Sequence, residues 1–145
     1  MTGRFEIVAD PSAIDVAVLE ARINEFNFAT TGYRDGREIA AFERAEDGAV
    51  VAGIYGWSWG GFAEVRFLWV HDSRRHRGAG QALLEAFEEE AVRRGCTGIV
   101  LATHTFQAPG FYGKLGYREV GRVEGYPRGY AQLWFLKSLD ARHGT

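Results

Sequence analysis

The chain has 145 residues, of which 46% are hydrophobic and 25% are charged, and this composition is typical of a folded domain rather than a disordered segment. The formal net charge of −2 disfavours a general nucleic-acid binder, whose affinity would come from a basic surface. The single cysteine, Cys96, excludes an intrachain disulfide, and no apolar run approaches the roughly 18 residues of a membrane span. We therefore expect one domain over residues 1–145. The lack of signal-peptide features near the start favours a cytoplasmic protein.

The beginning of the sequence predicts a strand, a helix and a loop. Residues 5–8 predict a short first strand. Ser12 beside Pro11 is typical of a helix start, and apolar residues then recur at near-helical spacing as far as Phe26. This pattern predicts an amphipathic helix of about four turns. Residues 27–36 contain Thr-Thr-Gly and Asp-Gly and predict a loop.

The rest of the sequence predicts strands on either side of a central helix. Because a strand–helix–strand crossover makes its two strands parallel, residues 62–71 and 98–103 should pair in parallel, while the other pairs are antiparallel. The sequence therefore predicts an α/β (α+β) fold with a mixed, mostly antiparallel sheet of about six or seven strands. The predicted strands are 38–45, 49–57, 62–71, 98–103, 117–124 and 130–139, and the predicted helices here are 78–94 and 108–115.

A basic, glycine-rich turn precedes the central helix. Gly78 and Gly80 allow the backbone to approach a ligand closely, and the helix that they open has unpaired amide N–H groups in its first turn. Arg74, Arg75 and Arg77 add cationic donors that match phosphate oxygens. The turn predicts an anion site of the pyrophosphate type. A solvated basic loop with a glycine N-cap is the alternative interpretation.

Two segments of the sequence resemble the motifs of the GCN5-related N-acetyltransferases, the GNAT family. Arg75-x-x-Gly78-x-Gly80 is similar to the family's Arg/Gln-x-x-Gly-x-Gly/Ala motif. About 30 residues later, residues 108–117 (Ala-Pro-Gly-Phe-Tyr-Gly-Lys-Leu-Gly-Tyr) resemble the second recurring segment. The order of elements also fits the family over nearly the whole chain, and residues 103–127 resemble a subgroup of small bacterial acetyltransferases.

The resemblance implies a fold, a cofactor and an activity. The fold would be GNAT-like, with a central parallel pair of strands that splay apart and about four flanking helices. Acetyl-CoA would be the co-substrate, and the acetyl group would pass directly to a primary amine of a small molecule or of a protein. No metal is expected, since no His, Cys or Asp cluster has metal-ligand spacing. A homodimer is implied by the family alone.

The resemblance also assigns residues to the acetyl-CoA site. The strand end Leu68, Trp69 and Val70 would pair with the pantetheine arm through backbone amides. The family often has an asparagine three residues before the second segment, and Thr105 stands there instead, so that Thr105 or Gln107 would replace its hydrogen bonds. The remaining expected CoA-binding residues are Arg75, Arg77, Gly78, Ala79, Gly80, Gln81, Phe111 and Lys114.

Two catalytic groups follow from the same resemblance. Tyr112 falls where many members place the general acid that protonates the leaving thiolate, the alternative being an aromatic residue packed on the sheet. Glu64 is the first candidate for the general base, with His71, His104 or a water chain as alternatives.

The acceptor side is less defined by the sequence. In the family the acceptor lies near residues 27–37 and 126–130, and aromatic residues in or near them predict a wall that would attract an amine. Two other functions stay open at this point, a CoA-binding regulatory module without turnover and a toxin-like acetyltransferase of aminoacyl-tRNA. The candidate wall residues are Tyr33, Tyr126, Tyr130, Trp57 and Trp59.

Overall fold

The computed structural model describes residues 4–139, and the chain divides into two compact units at Arg34 and Asp35. The first unit contains one helix, α1 (Ala13–Thr31). The Ser12 side chain caps its start by accepting a hydrogen bond from the Ile14 amide at 3.1 Å. Gly32 ends the helix in the left-handed conformation, with φ 78°.

Two predictions for this first unit were wrong. Residues 5–8 form no strand, because an extended segment becomes a strand only when a neighbouring strand supplies hydrogen bonds, and a four-residue segment cannot specify that neighbour. Residues 27–31 are helical rather than a loop. The Thr31 hydroxyl donates to the Asn27 carbonyl at 2.7 Å, so Thr30-Thr31-Gly32 marks the end of a helix and not the start of a loop.

The second unit is built on a six-stranded mixed sheet, which confirms the predicted fold class. Its strand order is β1-β2-β3-β4-β6-β5, and only β3 and β4 are parallel among these strands. The described chain also contains three α-helices and a short 3-10 helix. The strands are β1 (Arg37–Arg44), β2 (Val50–Trp59), β3 (Phe62–Val70), β4 (Gly98–His104), β5 (Arg118–Glu124) and β6 (Ala131–Ser138). The helices of this unit are the 3-10 turn Asp72–Arg74, α2 (Ala79–Arg93) and α3 (Pro109–Lys114).

The parallel pair separates part of the way along its length. β3 and β4 are in register from Phe62 opposite Gly98 to Val65 opposite Leu101, and the pairing stops there. β4 continues to pair with β6 as far as His104, while β3 continues to pair with β2 as far as Val70. A V-shaped gap therefore opens between the carboxyl ends of the two central strands, as the resemblance implied.

The core lies on the face of the sheet that α2 covers. Leu84 and Phe87 of α2 are fully buried against alternate residues of the strands, such as Val65 and Leu101. Gly56 is required at this contact, since a side chain there would collide with the Glu64 carbonyl of the neighbouring strand. Because side chains alternate along a strand, the residues next to these, Glu64 among them, point to the opposite face. None of the described helices is long and apolar enough to cross a membrane.

Candidate active site

A cleft of about 820 Å³ occupies the gap between β3 and β4. Its size is in the range of small-molecule sites in proteins. One wall is the free edge of β3 from Val65 to Val70, and the other is β4 from Leu101 to Thr103. The glycine-rich turn and the start of α3 complete the lining. The lining residues there are Arg74, Arg75, His76, Gly78, Ala79, Gly80, Gln81, Phe106, Gln107, Ala108, Phe111 and Tyr112.

The glycine-rich turn delivers the start of α2 to the cleft. Gly78 is the N-cap with φ 81°, a left-handed conformation that other residues adopt only with strain, and no side chain caps this helix. The free N–H groups of its first turn and their partial positive charge are therefore available to an anion. A side chain at Gly80 would meet the Phe111 ring at 3.4 Å, so glycine keeps the two sides of the cleft close. His76 also has a positive φ, of 65°.

The arginines of this turn divide into three different environments. Arg75 donates from Nε to the Val70 carbonyl at 3.1 Å and pairs with Asp72 at 3.2 Å, which ties the turn to the end of β3. Arg74 reaches Glu43 on β1 at 2.9 Å, and it lines the cleft although it was not among the assigned CoA-binding residues. Arg77 does not line the cleft.

Thr105 and Gln107, the two predicted replacements for the family's asparagine, occupy different positions. The Thr105 hydroxyl accepts the Ala131 amide at 3.1 Å, so it braces β6 and does not line the cleft. Gln107 does line the cleft. Its Oε1 accepts the His104 amide at 2.9 Å and lies 3.0 Å from His104 Nδ1, which holds the side chain in one orientation.

Tyr112 enters the cleft from α3, and Lys114 of the same helix does not. The Tyr112 ring packs against Phe111 and Tyr117 at 5.1 and 5.9 Å, and its hydroxyl makes no hydrogen bond to another described residue. Burial raises the pKa of the phenol, so Tyr112 keeps its proton at neutral pH. An oriented, protonated phenol is a hydrogen-bond donor, and it can act as an acid.

The candidate bases differ in their surroundings. Glu64 lies on β3 opposite Val100, just before the strands separate, and burial raises the pKa of its carboxyl despite the nearby Arg66 charge. His71 instead caps the 3-10 turn, where its Nδ1 accepts the Ser73 amide at 3.0 Å. His104 ends β4 on the same face of the sheet as Glu64, at the mouth of the gap.

The predicted aromatic wall is distributed over several parts of the structure. Tyr126 and Tyr130 contact a group at the end of β4 that includes Phe106. Trp57 contacts Tyr55, and Trp59 lines a separate cavity beside Arg94. Tyr33 belongs to the first unit. Phe106 was not among the predicted site residues, and only its place between β4 and the second motif could have suggested it.

Comparisons with known proteins agree with this architecture. Residues 12–117 match the model of the acetyltransferase (GNAT) family. A blasticidin-S acetyltransferase of Streptomyces morookaense is 35% identical over 104 residues, which cover 69% of this chain and 74% of that protein. An acetyltransferase of Bacillus cereus has a solved structure that is 33% identical, with a TM-score of 0.77 over 92% of this chain and 98% of that one.

A third comparison places acetyl-CoA on this fold. A Bacillus anthracis protein solved in complex with acetyl coenzyme A has a TM-score of 0.62 and 20% identity, over 71% of this chain and 63% of that one. Acetyl-CoA is thus a ligand of structures with this fold. The matches over most of the chain, together with the glycine-rich turn and the splayed strands, show that the protein is an acetyltransferase of the GNAT family.

Proposed function

We propose that this enzyme transfers an acetyl group from acetyl-CoA, bound in the cleft between β3 and β4, directly to the primary amine of a small molecule. The observation that carries the proposal is the early end of the β3–β4 ladder at Val65 and Leu101. It leaves the edge of β3 without a partner strand in the described chain, directly beside a helix start suited to phosphate. An extended pantetheine arm can add to such an edge through amide hydrogen bonds.

The pyrophosphate of CoA fits the start of α2. The amides from Gly78 to Gln81 would bind its oxygens, and the left-handed Gly78 leaves open space where a side chain would otherwise stand. Arg74 and Arg75 supply positive charge at the same end of the cleft. The pantetheine arm would then run along Leu68, Trp69 and Val70, with the Gln107 amide nitrogen facing it as a donor.

The chemistry needs an acid for the thiol and a base for the amine. The amine nitrogen attacks the thioester carbonyl carbon, and a tetrahedral intermediate forms. Its collapse forms the amide, breaks the C–S bond and releases CoA thiolate, which takes the Tyr112 proton. The proton lost from the amine goes to Glu64 or to a water held by it. Tyr112 lines the cleft on the core side of the sheet. Glu64 does not line the cleft; it lies on the opposite face, one residue before the β3–β4 ladder ends, and in the proposed mechanism it serves the other side of the carbonyl.

The acceptor class follows from the similarity to the Streptomyces protein. That relative is a blasticidin-S acetyltransferase, and the alignment covers most of both chains. An antibiotic amine is therefore the first acceptor class to test. A small amine also suits a cleft of about 820 Å³ that acetyl-CoA itself would partly fill.

Two measurements test the proposal. Isothermal titration calorimetry with CoA should show binding to the wild-type protein, and weaker binding to Gly80→Val, whose side chain would press on Phe111. A thiol-release assay with acetyl-CoA and a panel of amines that includes blasticidin S should identify an acceptor. If the protein binds CoA but no amine causes release of thiol from acetyl-CoA, the protein would be a regulatory CoA-binding module instead. If it does not bind CoA, the site assignment is contradicted.

A further inference from the structure

Four aromatic rings meet where β4 ends and the β5–β6 turn passes over it. We call His104, Phe106, Tyr126 and Tyr130 the ring cluster. His104 stacks on Phe106 with 5.3 Å between ring centroids and 15° between ring planes. Tyr126 stands edge-on to His104 at 5.4 Å and 84°, and Tyr130 edge-on to Phe106 at 5.1 Å and 71°. The cluster is one continuous set of contacts drawn from two separate chain segments.

The cluster is ordered by its own contacts but is not part of the core. Phe106, Tyr126 and Tyr130 are 55%, 54% and 50% exposed, and none of the four rings belongs to the buried core. Large aromatic rings that keep half of their surface in water give up much of the free energy that burial would provide. Contiguous exposed rings of this kind are typical of binding surfaces.

The shape of the cluster selects for flat groups. His104 and Phe106 lie almost parallel, while Tyr126 and Tyr130 stand nearly perpendicular to them. A planar, delocalised group can therefore lie on one ring and meet the edge of another, which are the favoured geometries of aromatic pairs. A saturated ring of equal size can only add contact area. None of the four members is acidic, so recognition here does not depend on a carboxylate.

The hydrogen bonds of His104 fix its orientation and its tautomer. The backbone N–H of His104 can only donate, so the Gln107 atom 2.9 Å from it must be the amide oxygen. The same oxygen lies 3.0 Å from His104 Nδ1, which must therefore carry the hydrogen. In the neutral ring Nε2 therefore keeps its lone pair, and it has no hydrogen-bond partner among residues 4–139. The imidazole is thus a fixed wall of the cluster that can also accept one hydrogen bond.

The ring cluster adjoins the acetyl-CoA cleft. Phe106 and Gln107 line the cleft, and both contact His104. His104 is on the same face of the sheet as Glu64, the face from which the amine would approach in the proposed mechanism. A molecule on the cluster would therefore sit beside the acceptor side of the gap.

We infer that the ring cluster is the acceptor subsite. It selects amines in which a short chain joins the reacting nitrogen to a planar, delocalised group. The planar group stacks within the cluster, and its donor group, where it has one, hydrogen-bonds to His104 Nε2. This inference rests on the proposed function, and it adds the chemical class of the acceptor and the residues that recognise it.

A matched pair of amines tests the inference. 2-Phenylethylamine and 2-cyclohexylethylamine carry the same primary amine and the same number of ring carbons, and they differ in planarity. The readout is the ratio of their kcat/KM values in the thiol-release assay, together with the KM for acetyl-CoA. We expect the wild type to prefer the planar amine, and Phe106→Leu and Tyr130→Leu each to reduce that ratio by about threefold to tenfold.

Phe42→Leu is the control, because Phe42 is as exposed as Phe106, at 55%, but lies on β1 outside the ring cluster. Tyr130→Leu serves as the second variant because Tyr130 does not line the acetyl-CoA cleft, so its KM for acetyl-CoA should be retained. A wild-type enzyme without preference for the planar amine, or an equal fall in the ratio for Phe42→Leu, would overturn the inference. If no amine causes release of CoA thiol from acetyl-CoA, that result would instead contradict the proposed function.

Discussion

Tyr112 presents a phenol to the cleft between β3 and β4, and this phenol keeps its proton near neutral pH. Burial raises the pKa of Tyr112 above its usual value near 10, so the proton stays on the oxygen throughout the working range. Tyr112→Phe removes only that oxygen. We expect kcat to fall by about 10², the lower end for general acid catalysis, while the Kd for CoA from calorimetry is retained.

Tyr117→Phe is the control for Tyr112, since it removes a phenol from the same chain segment. Tyr117 is buried and donates to Glu88 at 2.7 Å, so its loss should lower stability by about 1–3 kcal/mol and leave kcat unchanged. Equal kcat in Tyr112→Phe and the wild type would remove Tyr112 from the mechanism.

Glu64 is the residue whose carboxylate should accept the proton of the attacking amine. A base is needed because the amine is mostly protonated there, and Glu64→Gln cannot accept the proton. We expect kcat/KM of Glu64→Gln to be reduced by about 10² at pH 7. The difference in kcat/KM between Glu64→Gln and the wild type should decrease with rising pH, because more of the amine is then neutral. Rate profiles from pH 6.5 to pH 9.5 measure this convergence, and Glu46→Gln, an exposed loop substitution, should follow the wild type.

A stability measurement distinguishes a catalytic effect of Glu64→Gln from a loss of folded protein. Because burial raises the pKa of Glu64 in the folded protein, ionising this carboxyl costs stability as the pH rises through that raised pKa. The neutral glutamine does not have this cost. Glu64→Gln should therefore be at least as stable as the wild type at pH 7 in a thermal melt. If its kcat/KM stays below that of the wild type by the same factor up to pH 9.5, this would argue against a base at this position.

At the scale of elements, the turn before α2 and the β1–β2 hairpin both contain a glycine in the left-handed conformation, for different purposes. Gly78 has φ 81° and Gly48 has φ 90°, and each has open space around its Cα. Replacing either with alanine should cost about 1–2 kcal/mol, the usual cost of a side chain in the left-handed region. Only Gly78→Ala places a methyl group where the pyrophosphate would bind.

The pair Gly78→Ala and Gly48→Ala therefore separates backbone strain from ligand binding. We expect similar losses of stability in urea denaturation. The Kd for CoA should rise by about tenfold in Gly78→Ala and remain unchanged in Gly48→Ala. A similar Kd for the two variants would show that the amides of the turn do not hold the phosphates.

Local signals in the sequence were sufficient for most of the elements of the sheet but not for contacts between distant segments. Turn glycines indicated where several strands end, and the basic run before Gly78 marked the turn that opens α2. The length of α1 was missed because Gly32 is equally typical of a helix end and a loop. The role of Thr105 was missed because its partner, Ala131, lies 26 residues away. The ring cluster likewise joins residues that only the fold brings together.

At the scale of the whole second unit, one buried arginine connects the central helix to the edge of the sheet. Arg94 follows α2, and its side chain is only 14% exposed. Its guanidinium donates to Glu90 at 2.8 Å, to the Ser58 hydroxyl at 3.0 Å and to the carbonyls of Arg37 and Glu38 at 3.1 and 3.0 Å. One planar group thus holds α2, β1 and β2 together.

Arg94→Lys keeps the charge and loses this arrangement, since a single ammonium on a flexible chain cannot reach four acceptors on three elements. The unsatisfied acceptors should lower the free energy of unfolding by about 2 kcal/mol in urea denaturation. Arg93→Lys is the matched control, because Arg93 is 65% exposed and its only ion pair in the described chain is with Glu90, a pair worth less than about 1 kcal/mol. Since Arg94 lies at the end of α2 opposite the glycine-rich turn, the folded Arg94→Lys protein should bind CoA as the wild type does. A loss of stability no larger than that of Arg93→Lys would show that α2 is held to the sheet by the packing of Leu84 and Phe87 alone.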